Sequence, residues 1–177
     1  ELIIIGALCV LFAFLYTTGP YPLSYNGWGD VLVIIFFGFV PVGGTYYVQA
    51  LTWTPDVTIA SFICGLLIDT LLVVNNYRDR EADARSGKRT VIVRFGEKFG
   101  RYFYLLLGIS ASLLCLYFLR EGHIYAALLP QLYLVPHVLT WRRMVKIHSG
   151  KKLNSILGET SRNMLFMGIL LAIGMIL

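Results

Sequence analysis

Charge is what this chain has little of. Only 14% of its 177 residues are Asp, Glu, Lys or Arg, where a soluble domain carries roughly 25%. Cysteine is sparse as well. Cys9, Cys64 and Cys115 all lie in apolar runs, with no CxxC and no Cys/His spacing. That excludes a disulfide framework or a zinc knuckle and leaves them as small hydrophobes. His123, His137 and His148 are isolated and lack ligand spacing. No basic segment with a small-residue cleavage site precedes the first apolar run, so a secretory signal peptide is not expected. The formal charge of +5 does not point to nucleic acid either, because the basic residues sit between apolar runs rather than along one basic face.

Hydrophobic residues are what the chain has in excess, at 57%, with a mean hydropathy of +0.70. Measured against the roughly twenty residues that cross a hydrocarbon core, six runs stand out: Leu2–Tyr16, Val31–Trp53, Val57–Val74, Tyr102–Leu119, Ile124–Trp141 and Asn163–Leu177. Backbone groups in lipid must be paired within their own segment, so each run reads as a helix. The expectation is an all-α, polytopic transmembrane bundle of about six spans, forming one domain over residues 1–177. With six spans, segments 17–30, 75–101 and 142–162 share one side, and every Lys and Arg except Arg120 lies in them. The positive-inside rule places that side in the cytoplasm, in an inner, cytoplasmic membrane.

The block Asn75–Thr90, NNYRDREADARSGKRT, directly follows the third apolar run. If that helix continues through it, 100° per residue puts Asn76, Asp79 and Asp83 in a narrow arc, with Asp69 on the same side and Asn75 at its edge. Two carboxylates one turn apart with amide oxygens beside them suit a hard cation such as Mg²⁺, which takes a few carboxylates plus ligand phosphates. The cations that follow, Arg78, Arg80, Arg85, Lys88 and Arg89, suit a diphosphate bridged by that metal. Gly87 allows a tight turn that would fold Lys88 and Arg89 back over it. Asp79 and Asp83 would also serve as plain ion-pair partners of the arginines. Asn75 and Asn76 have the alternative of finishing a helix, and Asp69 that of hydrogen-bonding a neighbouring helix instead of lining a cavity.

Asn75-Asn76-x-x-Asp79-x-x-x-Asp83-x-x-x-Gly87-Lys88-Arg89-Thr90 resembles the second aspartate-rich motif of the UbiA superfamily of intramembrane prenyltransferases. Its wording is closest to the 1,4-dihydroxy-2-naphthoate polyprenyltransferase branch of menaquinone biosynthesis. Tyr16-Thr17-Thr18-Gly19-Pro20-Tyr21-Pro22-Leu23 and Gly44-Thr45-Tyr46-Tyr47-Val48-Gln49 resemble the same branch. The resemblance implies Mg²⁺ on Asp79 and Asp83, with these two and Lys88 catalytic. Substrate contacts are then expected from Asn75, Asn76, Arg78, Arg89 and Asp69, and from Tyr46, Tyr47 and Gln49. Aromatic faces would stabilise an allylic cation, although packing and the interfacial belt are the ordinary roles of such residues. The implied substrates are polyprenyl diphosphate and 1,4-dihydroxy-2-naphthoate, joined with loss of CO₂ to give demethylmenaquinone.

Members of that superfamily have nine membrane helices and an earlier NDxxD-type motif, which this sequence lacks; Asp30 and Asp56 read as lone loop residues. The chain is therefore expected to match the later part of the fold, about helices four to nine, and to work with the three helices that precede them. Two other readings remain at this point: the same superfamily with a different aromatic acceptor (4-hydroxybenzoate, homogentisate or a porphyrin), or a non-catalytic scaffold or transporter. A transporter would show paired broken spans or several charges at mid-span, whereas here Asp69 alone lies deep.

Overall fold

A computed structural model describes residues 2–177 and is helical throughout, with short turns between elements. We number the helices α1 (Leu2–Thr17), α2 (Gly29–Ala50), α3 (Pro55–Arg85), α4 (Val91–Leu119), α5 (residues 124–147) and α6 (Lys151–Ile176). Four of them, α2, α3, α4 and α6, are long and apolar enough to cross a membrane. The helix α1 is apolar but only 16 residues long. In α5 a tighter 3₁₀ stretch, Leu129–Tyr133, interrupts the α-helix where Pro130 removes a backbone donor.

The expected bundle is present, but its helices run further than its apolar runs. The third run, expected to end at Val74, is part of a 31-residue helix that carries the polar block as far as Arg85. The fourth begins at Val91, not Tyr102, and the sixth at Lys151, not Asn163. Their polar ends are helical because capping and ion pairing sustain them outside the apolar zone. Thr54 caps α3 by accepting from the Val57 amide, with Pro55 in the first turn. Thr90 does the same for α4 through the Val93 amide. Between them the chain reverses at Gly87, whose φ of +78° suits glycine.

The organising element is α3. One core cluster joins its Ile63 and Leu67 to Ala111, Cys115 and Phe118 of α4, Ala126, Ala127 and Tyr133 of α5, and Met167 of α6. A second, towards the polar end, joins Val73, Val74 and Tyr77 to Tyr104 and Leu107 of α4, Met144 of α5 and Ile156 of α6. On its other side α3 meets α2 through small residues. A Cβ on Gly38 would stand 2.5 Å from the Ser61 carbonyl oxygen, and one on Gly65 2.9 Å from the Ile34 Cα. Such close backbone approach is how membrane helices gain dispersion contact without a hydrophobic driving force. In the middle of α2, residues Ile34–Gly43 open into wider π turns around Pro41. The helix α1 buries no residue; it lies against α2 with the Phe12 and Phe36 rings 5.2 Å apart.

The turns 17–28, 86–90 and 148–150 meet at one end of the bundle. The Arg89 amide donates to the Tyr25 carbonyl, Arg94 Nη2 donates to the Asn26 carbonyl, and Arg80 reaches His148. This is the basic side expected from the sequence.

Candidate active site

At that end a polar cavity of about 390 Å³ opens between α1, α2 and α3. The α3 helix contributes Leu72, Asn75, Asn76, Asp79 and Asp83; α1 contributes Tyr16 and Thr17. The connecting loop gives Ser24, Tyr25 and Gly27, α2 gives Gly29 and Asp30, and the turn before α4 gives Lys88 and Thr90. The helical arc read from the sequence thus exists, and the uninterrupted run of α3 through the polar block creates it.

Both aspartates of the block are held by cations. Asp83 is 7% exposed and pairs with Lys88, whose Nζ lies 3.0 Å from Oδ1 and 5.4 Å from the centre of the Tyr25 ring. The Asp83 hydrogen bond holds the Lys88 ammonium above the usual lysine value, so it stays charged throughout the neutral range. Asp79 receives both arms of Arg78, Nε to Oδ1 at 2.8 Å and Nη2 to Oδ2 at 2.6 Å. The same guanidinium donates to Asn75 Oδ1 at 2.7 Å and to Asn154 Oδ1 on α6 at 2.9 Å. Arg78 therefore sits behind the cavity wall and orients Asp79 from outside.

The other bases divide. Arg80 turns away to Glu97 and the Tyr77 carbonyl, in a cluster that also holds Arg101 and His148. Arg85 and Arg89 are exposed; Arg89 binds the loop through its main chain rather than facing the cavity. Among the basic residues of the block, Lys88 is the one that lines the cavity.

The residues of the second run stand elsewhere. Tyr46, Tyr47 and Gln49 lie near the far end of α2, roughly 20 Å from Asp30 by helical rise. Tyr47 lines an apolar groove, Gln49 Nε2 donates to the Thr45 carbonyl within its own helix, and Tyr46 lies on neither cavity wall. The structure does not bring these three to the carboxylates.

Asp30, read from the sequence as a lone loop residue, is instead buried in the first turn of α2 and lines the cavity. It stands beside Asp69, and the two carboxyls interact electrostatically. Asp69 is 1% exposed, and neither of its oxygens has a hydrogen-bond donor. Sequence reasoning also passed over Asn154, and it gave Tyr16 no place in the site although that residue opens a family-like stretch. The available signal was Asp30 itself, a carboxylate at the mouth of a 22-residue apolar helix.

The cavity is not closed at its apolar end. Tyr16 and Leu72 also line a neighbouring groove of about 510 Å³ between α1 and α2. That groove shares Cys9, Phe12, Leu32 and Phe36 with a larger one of about 890 Å³. A polar head site thus adjoins a series of apolar grooves. The oxygen-only lining of Asp79, Asp83, Asn75 and Asn76 fits Mg²⁺, which keeps waters and ligand phosphates in its shell. No group of three His, Cys, Asp or Glu converges among the described residues, so the two aspartates would leave most of the ion's shell to water and phosphate oxygens.

Comparisons with known proteins give this polar carboxylate cavity beside apolar grooves a family. The model of the UbiA prenyltransferase family matches residues 1–175. The chain belongs to the UbiA prenyltransferase family. Several of the curated proteins that it resembles share one name. It is 40% identical over 114 residues to the 1,4-dihydroxy-2-naphthoate octaprenyltransferase of Escherichia coli, covering 64% of this chain and 37% of that protein. It is 42% identical over 113 residues to the protein of the same name from Mycobacterium tuberculosis, covering 63% and 39%. Along almost its whole length, 98%, it is 29% identical to UbiA prenyltransferase domain-containing protein 1 of Dictyostelium discoideum, over 51% of that protein. The chain spans between about a third and a half of these relatives. No solved structure matches it.

Proposed function

We propose that the protein carrying this chain is a Mg²⁺-dependent polyprenyltransferase. It would move a polyprenyl group from polyprenyl diphosphate to 1,4-dihydroxy-2-naphthoate with loss of CO₂, giving the quinol form of demethylmenaquinone. The observation that carries this reading is that the Asp79/Asp83/Lys88 cavity shares its Tyr16 and Leu72 wall with the neighbouring apolar groove. A ligand with a charged diphosphate head and a hydrocarbon tail has one place for each. The acceptor rests on the similarity to the naphthoate octaprenyltransferases.

Asp79 and Asp83 would hold the metal, and Mg²⁺ there would supply positive charge to the leaving diphosphate. Arg78 fixes the orientation of Asp79 through two hydrogen bonds and ties α3 to Asn154 of α6. Lys88, charged and freed from Asp83 once that carboxylate takes a metal, is placed to bind a diphosphate oxygen and offset the charge that grows as the carbon–oxygen bond breaks. Tyr16 and Leu72 stand where head and tail meet, so the allylic carbon would lie between an aromatic ring and an aliphatic wall that exclude water. The lipid tail explains the membrane setting, and the basic end of the bundle faces the cytoplasm by the positive-inside rule.

Product analysis by mass spectrometry tests the reading. Full-length protein in membranes is given polyprenyl diphosphate, Mg²⁺, 1,4-dihydroxy-2-naphthoate and 4-hydroxybenzoate. A prenylated naphthol lacking the carboxyl, absent when EDTA replaces Mg²⁺, is the expected result. A prenylated hydroxybenzoate would keep the site and move the acceptor. No product with either would leave the scaffold reading in its place.

A further inference from the structure

The Asp30–Asp69 pair is not used by the chemistry above. Asp69 lies ten residues before Asp79 on α3, about 15 Å deeper along the helix. It is 1% exposed, its two oxygens have no donor, and the group set against it is another carboxyl. Two adjacent buried carboxyls cannot both remain ionised: their like charges and the loss of water favour one proton between them. That proton also gives Asp69 the hydrogen bond it otherwise lacks. The two sites are unequal. Asp30 lies in the first turn of α2, where the exposed amides of a helix start favour a negative charge, and it borders the cavity. Asp69 is enclosed behind it. Tyr16 from α1 faces the pair, and Lys88 from the turn before α4 adds its charge at Tyr16.

The geometry points to Asp30 and Asp69 as a proton-sharing carboxyl pair that serves as the base for the aromatic acceptor. Asp30 is the ionised member that receives the acceptor's hydroxyl proton. This rests on the proposed reaction with a hydroxyaromatic acceptor. As the carbon–oxygen bond of the diphosphate breaks, its electron pair leaves with the diphosphate. The hydroxyl proton passes to Asp30, and the oxygen's electrons drive the ring carbon onto the allylic carbon. When the ring carboxylate departs as CO₂, its electron pair restores the aromatic ring and Asp30 returns the proton to the oxygen. The pair ends with the single proton it began with, and no oxidant or further reactant is needed.

Infrared difference spectroscopy on full-length protein with ¹³C-labelled aspartate reads the shared proton without turnover. A protonated carboxyl band is expected at neutral pH in the wild type and should vanish in Asp69→Asn. Absence of the band, or a carboxylate shift on adding Mg²⁺ alone, overturns the pair and makes it a cation site. Kinetics then test the base. Asp30→Asn is expected to lower kcat roughly 100-fold or more, with KM for the diphosphate unchanged. Asp69→Asn, whose amide is a weaker donor to Asp30 than the protonated carboxyl it replaces, should move the acidic limb of the pH–rate profile up by about one unit. Unchanged kcat in Asp30→Asn, or an unmoved limb in Asp69→Asn, overturns the role. A band together with turnover of hydroxybenzoate only would shift the acceptor and keep the base. A band with no turnover on any acceptor would overturn both the base and the proposed function.

Discussion

Arg78 grips both oxygens of Asp79, at 2.8 and 2.6 Å, and with the same guanidinium reaches Asn154 on α6. The carboxylate is thereby aimed into the cavity by a cation that stays outside it. A planar fork is required for that, and lysine cannot reproduce it. Arg78→Lys is expected to raise the Mg²⁺ concentration needed for half-maximal turnover about 10- to 100-fold, the usual range for groups that orient a metal ligand. Metal titration of turnover checks it, and an unchanged requirement would assign Arg78 to anchoring α6 alone.

Lys88 joins the two halves of the site across the Gly87 turn. Lys88→Ala removes a diphosphate cation and leaves Asp83 buried without its partner. Losing a charged hydrogen bond of about 1.5–3 kcal/mol corresponds to a fall in kcat/KM of about 10- to 100-fold. Lys88→Arg should recover part of it. The Lys88 value is raised in the folded protein. Its pairing therefore contributes in full below the ordinary lysine value and fades only as pH climbs through the raised one, well into the alkaline range. Through the neutral range Lys88 should add no titration to the rate.

Leu72 lies where the polar cavity meets the apolar groove. Leu72→Trp should narrow that junction. We expect KM for a long polyprenyl diphosphate to rise about tenfold while a five-carbon allylic diphosphate is hardly affected. Equal effects on both would mean that the tail runs elsewhere.

The α2–α3 contact sets Asp30 against Asp69, and it depends on Gly38 and Gly65. A methyl on Gly65 would meet the Ile34 backbone at 2.9 Å. Gly65→Ala is expected to cost about 1–3 kcal/mol through overpacking, seen as a lower melting temperature in detergent, with turnover falling as the carboxyls separate.

Much of this was legible in the sequence for a physical reason. The polar block has helical spacing, so continuing α3 through it placed Asp79, Asp83, Asn75 and Asn76 on one wall without any knowledge of packing. The apolar runs were countable, and confinement of the bases, Arg120 apart, to segments 75–101 and 142–162 identified the end where the turns meet. What could not be read depends on contacts between distant segments. Arg80 looked like a diphosphate ligand until Glu97, seventeen residues on, claimed it. Arg89 has the charge for the same task, yet the Gly87 turn directs Lys88 inward and Arg89 outward. Asp30 looked like a loop residue because nothing local reveals that α2 starts at Gly29 and leans on α3 beside Asp69. The far placement of Tyr46 and Tyr47 follows from the length of α2, which carries them away from the end where the carboxylates lie.

The most direct test of the central claim, that Asp79 and Asp83 form the metal–diphosphate site, is diphosphate release by Asp79→Asn and Asp83→Asn. Both are measured in full-length protein whose membrane insertion is confirmed to match the wild type. The account predicts Mg²⁺-dependent release in the wild type and a loss of at least about 100-fold in each variant, in the range of several kcal/mol that a bound metal supplies. Release at the wild-type rate from both correctly inserted variants would contradict it.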